Sequence, residues 1–194
     1  MKEDKIMRPT IFILTLLSFL LVQIPAWSVD QRTFEKLVDC LYDFEENIWP
    51  LGVFDDQTLE EGLPEVYGYA IEEGKHALEV RSLWAMGQTG LIAFEPILLD
   101  AMEEHPTICC GALSNIPSED SLRAIIAKLN DEDLLVRIAA VKALQVVPYY
   151  AEFPEAAQEA LGMLNVRKNE ETYEDLLIDI SEAIDLIEKT ISAE

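Results

Sequence analysis

Basic residues are scarce in this chain: 14 Lys and Arg stand against 37 Asp and Glu, a formal net charge of −23 over 194 residues. Nucleic-acid affinity comes largely from counterions released when clustered Lys and Arg neutralise phosphates. A field of the opposite sign repels phosphate backbones and anionic lipid head groups, so nucleic acid is excluded as a partner. Histidine is scarcer still, with only His76 and His105. There is no glycine-rich phosphate loop, no Ser-His-Asp order and no CxxC motif. An enzyme needs a nucleophile, a base and an orienting group, or metal ligands at usable spacing; none can be named, and the chain reads as non-enzymatic and without a cofactor. Cysteine is limited to Cys40 and the adjacent pair Cys109 and Cys110. Neighbouring cysteines rarely bridge each other, and a Cys40 bridge to either requires Cα atoms within about 7 Å. The alternative is that all three are small buried hydrophobes. Ordinary Gly and Pro levels exclude collagen-like and disordered classes.

What the chain does have is apolar material, 50 % of its residues, enough for one core without a metal or disulfide staple. Part of it belongs to another problem. Lys2, Lys5 and Arg8 precede an apolar run over residues 11–24 that is interrupted only by Thr15, Ser18 and Gln23. A helix of that length is roughly 21 Å long, short of the ~30 Å hydrocarbon core. Pro25 follows, and Ala26 and Ser28 offer the small residues of a cleavage site. Residues 1–28 are therefore expected to be a signal peptide cut near Ser28, exporting the domain to the periplasm or the extracellular space. The alternative is an uncleaved anchor that holds it on the non-cytoplasmic side, the one expected link to a membrane.

Cleavage there removes Lys2, Lys5 and Arg8 with Glu3 and Asp4, leaving 11 Lys and Arg against 35 Asp and Glu, a net charge of −24. Residues 39–74 hold eleven carboxylates and no Lys or Arg. A basic protein or peptide, or a divalent cation, would suit such a segment; a solvated acidic face is the plainer reading.

Residues 131–148, DEDLLVRIAAVKALQVVP, place Val136, Ala139, Ala140, Ala143, Leu144 and Val147 on one helix face. In the tight turn before it, over residues 130–133, an Asp side chain is expected to accept backbone amides of the helix start. The acidic turn, the Val-Arg pair, the alanine stripe and the closing Ala-Leu resemble the HEAT-like repeats of the phycobilisome-lyase type. Ala85-Met86, Ala112-Leu113 and Ala143-Leu144 then stand as equivalent points, 27 and 31 residues apart, a period in the range of helical solenoids. Partner helices carry Phe94, Ile97, Leu98 and Ala101, and Leu122, Ile125, Ile126 and Leu129. The resemblance implies an all-α fold, a short right-handed α-solenoid of stacked antiparallel hairpins, whose usual work is binding. No residue here matches a chromophore pocket.

The expected organisation is a capping helix from Thr33 to about residue 49 with an irregular acidic stretch (29–75), the HEAT-like repeats (76–148) and C-terminal capping helices (149–194). In the irregular stretch Pro50, Gly52, Gly62, Pro64 and Gly68 are expected to break any long helix, with short ones starting at Thr58 and near Pro64. In the last part, a helix over residues 154–165 precedes one capped by Thr172, with a stripe of Tyr173, Leu176, Leu177, Ile180, Ile184, Ile187 and Ile191.

The function expected is that of a protein- or peptide-binding scaffold. With the Ala-Leu points as register, Leu83, Cys110 and Val141 align, as do Gly87, Ser114 and Gln145, with Arg137 one turn earlier. Leu83, Cys110, Ser114, Arg137, Val141 and Gln145 are the candidate partner-binding row, an apolar groove if exposed; packing of the row against a neighbouring helix is the open alternative. A second class of function is divalent-cation or metal binding, by the acidic segment or by His105 with Cys109, four apart.

Overall fold

The computed structural model describes residues 28–42 and 50–192. The apolar run at 11–24 and the segment 43–49 lie outside the described residues. Among those described there are nine α-helices and no strand, and no helix is long and apolar enough to cross a membrane.

Helix α1 (Gln31–Tyr42) buries Phe34, Leu37 and Leu41. Its first turn is capped by Asp30 rather than Thr33: the Asp30 carboxylate accepts the amides of Arg32 and Thr33 at 3.0 and 3.1 Å and the Thr33 hydroxyl at 2.7 Å. At Tyr42 the Arg81 guanidinium donates to the Leu41 and Tyr42 carbonyls at 2.9 and 3.0 Å, satisfying groups that a helix C-terminus leaves open.

The stretch expected to be broken is instead one helix, α2 (Asp56–Glu72), which holds Pro64 in its interior. Asp55 caps it, accepting the Thr58 amide at 2.7 Å. Tertiary packing overrides the local breakers. Leu59, Leu63, Val66 and Ala70 form a buried stripe, and each large apolar side chain buried in this way is worth ~1.5–3 kcal/mol against the ~3 kcal/mol of an interior proline. Gly62 serves the same packing, since a Cβ built there would fall 2.3 Å from Leu37 Cδ1.

The chain then turns through Gly74, at φ 63°, into α3 (His76–Thr89), which ends on Gly90 in the left-handed region at φ 68°. Next come α4 (Glu95–Asp100), α5 (Pro106–Leu113), α6 (Glu119–Ala127), α7 (Leu134–Val146), α8 (Pro154–Glu170) and α9 (Glu174–Ile191). Both aspartates of the turn before α7 accept amides, Asp133 that of Leu135 at 2.8 Å and Asp131 that of Asp133 at 3.0 Å. Helix α8 runs five residues past its expected end. Helix α9 starts after Tyr173 with no side-chain cap bond, so Thr172 does not cap it; in the turn before it the Glu171 carboxylate accepts the amides of Thr172 and Tyr173 at 2.9 and 3.2 Å.

Helices α3, α5, α7 and α9 pack side by side in one row, with α4, α6 and α8 in contact along another. In the first row α3 and α5 run in the same direction, as do α7 and α9. At the starts of α3 and α5, Glu79 meets His105; near their ends Gly87 abuts Ala112. Arg137, Lys142 and Gln145 of α7 bond in the same order to Glu171, just before α9, and to Asp179 and Glu182 along it. In the second row Glu95 accepts from Ser121, and Arg123 pairs with Glu159. The interval between bonded partners is 26 residues for Glu79 with His105 and for Glu95 with Ser121, 25 for Glu103 with Lys128 just beyond the ends of α4 and α6, and 34–37 in the last step of each row. Exposed ion pairs contribute only about 0–1 kcal/mol each. The packed interior, one hydrophobic cluster from Val29 to Ile187, holds the rows together, and the polar bonds set their register.

Candidate functional site

The candidate partner-binding row is not a groove. Leu83, Cys110 and Val141 are fully buried, and Ser114 is buried with its hydroxyl donating to the Gly111 carbonyl at 2.8 Å. The physical reason is position. A helix in the middle of a row is covered by a neighbour on each flank and by the facing row, so its buried arc is wider than one stripe. The side opposite the alanines therefore meets the next helix and not solvent.

The two remaining polar members of the row also bond within the chain. Arg137 donates to the Asp131 and Glu132 carbonyls at 2.9 and 3.0 Å and to Glu171 at 3.0 Å. Gln145 donates to the Asp179 carbonyl at 2.9 Å and to Glu182 at 3.3 Å. They join α7 to α9.

The acidic segment is dispersed. Asp39, Asp56, Glu60, Glu72 and Glu73 are exposed, and Asp55 is spent on its cap. Nor does His105 meet Cys109 as a ligand pair. His105 is the residue before Pro106, held at φ −129° and ψ 50° outside the helix, since steric clash with the proline ring disfavours helical backbone there. Cys109 lies one turn inside α5, fully buried, and burial, then the neighbouring Cys110, pushes its thiol up to about 12.

A different cluster assembles at the start of the first row. His76 is the first residue of α3 and Glu79 follows one turn later, and the side-by-side packing of α3 and α5 brings His105 against them. His105 Nε2 lies 2.7 Å from Glu79 Oε1, and His76 Nδ1 lies 3.3 Å from Glu79 Oε2. The imidazole centroids are 5.5 Å apart, tilted by 33°. The side chains of His105 and Glu79 are 10 % and 13 % exposed, and that of His76 is 75 % exposed, so the cluster has a packed floor and one open wall. Burial alone would raise the Glu79 carboxyl, but hydrogen bonding with His105, then His76, outweighs it and holds the group below the usual carboxylate range. Tyr67 stands nearby, its hydroxyl pushed up by burial and then by the Glu79 charge.

One ligand atom from each of His76, Glu79 and His105 lies within 4.8 Å of the other two, and among the described residues this is the group of three that comes together in that way. Its signal in the sequence is slight: His-x-x-Glu at a helix start, and a pre-proline histidine 26 residues beyond the glutamate, the interval of the first step in the row.

No protein-family model, no curated protein and no solved structure matches this chain.

Proposed function

We propose that the chain is a non-enzymatic, exported HEAT-like scaffold, a short right-handed α-solenoid that binds a basic protein or peptide partner. The observation that carries this reading is the order of the cross-helix bonds. The pairs α3 with α5 and α7 with α9 run the same way, with partners a near-constant interval apart in the first steps, while consecutive helices from α3 onward alternate between rows. Stacked hairpins produce that pattern, and such stacks work mainly as binding surfaces. With the apolar row consumed by packing, the docking surface is polar. The open flank of α9 presents Glu174, Asp175, Asp185 and Glu188 to solvent, on a chain of net charge −23. A surface of that kind steers and selects cationic partners.

The test is capture of binding partners from an envelope extract by the full chain at low and high salt, repeated with Asp185→Asn and Glu188→Gln combined. The expected result is a basic protein retained at low salt, released at high salt, and lost with the neutralised flank. A partner held equally by wild type and variant, or none above background, overturns the reading.

A further inference from the structure

We infer that His76, Glu79 and His105 form a binding site for a zinc-like divalent transition-metal ion at the joined starts of α3 and α5. The site lies apart from the α9 flank and is independent of whether that flank docks a partner.

Three observations carry it. The first is the donor set. Two imidazole nitrogens and one carboxylate oxygen suit zinc and its first-row neighbours, whereas calcium and magnesium require oxygen cages. Three protein ligands with an open side also match sites in which water completes a tetrahedron.

The second is geometry. Bonds of about 2.0–2.2 Å place the ligand atoms of a tetrahedral ion roughly 3.3 Å apart. The pairs His105 Nε2 with Glu79 Oε1, and His76 Nδ1 with Glu79 Oε2, stand at 2.7 and 3.3 Å, and all three ligand atoms lie within 4.8 Å. His105 Nε2 and Glu79 Oε1 must part by a few tenths of an ångström from their hydrogen-bond contact to admit the ion, and the larger adjustment falls on His76, whose exposed side chain is able to rotate.

The third is preorganisation. His105 is pinned by Pro106 and by packing, and Glu79 rises from the first turn of a helix whose start is fixed by Gly74. Two of the three ligands are thus positioned by backbone that the fold has already ordered, which lowers the entropic cost of capture. In the absence of metal the same groups hydrogen-bond to one another, and the cluster then braces α3 against α5.

The experiment is calorimetric titration of the full chain, stripped with EDTA, with zinc and separately with cobalt(II), in excess magnesium to occupy the many exposed carboxylates. Saturable binding of one ion per chain is expected, with a visible cobalt spectrum of low coordination number. His105→Ala and Glu79→Gln should each weaken binding by at least about tenfold, and Glu60→Gln, on α2 outside the cluster, should leave it unchanged. Because Glu79 and His105 also brace two helices, His76→Ala supplies the arm that cannot fail through misfolding: it removes a solvent-exposed ligand, should keep the metal-free melting temperature, and should lose the rise in melting temperature that zinc gives wild type. Absence of saturable zinc or cobalt binding to the wild type overturns the assignment, as does zinc stabilisation that survives in His76→Ala and His105→Ala alike.

Discussion

Gly87 sits so close to Ala112 that a Cβ built on it would fall 2.3 Å from the Ala112 Cα and 2.8 Å from its carbonyl oxygen. The obstacle is backbone, so it cannot swing aside as a flexible side chain would. The absence of one methyl group thus sets how near α3 approaches α5, and through that the spacing of His105 from Glu79.

Gly87→Ala should therefore destabilise the protein by about 1–3 kcal/mol, the range of overpacking in a close-packed interior. Gly162 is the control. It lies exposed in the interior of α8, with nothing within 4 Å of the place an added methyl group would take, and Gly162→Ala should stabilise by about 0.5–1 kcal/mol. Urea unfolding of the two variants checks both signs; equal effects would mean that the α3 and α5 backbones are not in contact.

Glu171 gives a pH dependence with a definite sign. Its side chain is 4 % exposed and faces the guanidinium groups of Arg137 and Arg167. Burial pushes its carboxyl up, but the Thr172 amide, then Arg137 and Tyr173, more than compensate and hold it below the usual range. A carboxyl lowered in the folded state stabilises that state above its unfolded value of ~4.3, and the contribution disappears as pH falls through the lower folded value. Glu171→Gln should cost about 1.5–3 kcal/mol near pH 7. The gap from wild type should close as pH drops below about 4; a gap constant down to pH 3 would contradict the assignment.

Cys109 and Cys110 should resist alkylation in the native protein. Both are fully buried, and burial raises each thiol to about 12, leaving negligible thiolate to react at neutral pH. Mass spectrometry after brief labelling should find these two positions unmodified in buffer and modified in denaturant. Labelling in buffer at the rate of a model thiol would show that α5 opens.

Pro64→Ala should raise stability by about 1–3 kcal/mol, since it restores an amide donor within α2 and removes ring crowding from the preceding turn. Denaturant midpoints decide it. A loss of stability would mean that the proline ring packs better than the missing hydrogen bond costs.

Those positions also show what is legible in the sequence. The stripe of Ala140, Ala143 and Leu144 and a capping Asp in the turn over residues 130–133 follow from local rules, and the structure has them, the cap being Asp133. Pro64 and Gly62 mislead because local preference is worth a few kcal/mol and a buried stripe is worth more. The row of Leu83, Cys110 and Val141 misleads for another reason. Periodicity identifies the faces of a helix but does not count its neighbours, and α5 and α7 have a helix on each flank. Helix spacing also fails at His105 and Cys109, since a rule of four holds only inside a helix and Pro106 keeps His105 just outside. The pairing of His105 with Glu79 needs two backbones side by side, which no single segment encodes.

The change of interval from 25–26 to 34–37 residues bears on how the molecule assembles. Polar bonds between separate helices among the described residues span between 25 and 40 residues, so each step closes a loop of modest and similar size. Loop-closure entropy grows only slowly with length, and a chain of short closures has a low contact order and folds quickly. Ordering can begin at whichever pair forms first and spread in both directions. Loss of structure should follow the same path in reverse, with α9 leaving from one end while the Gly87 contact still holds α3 to α5.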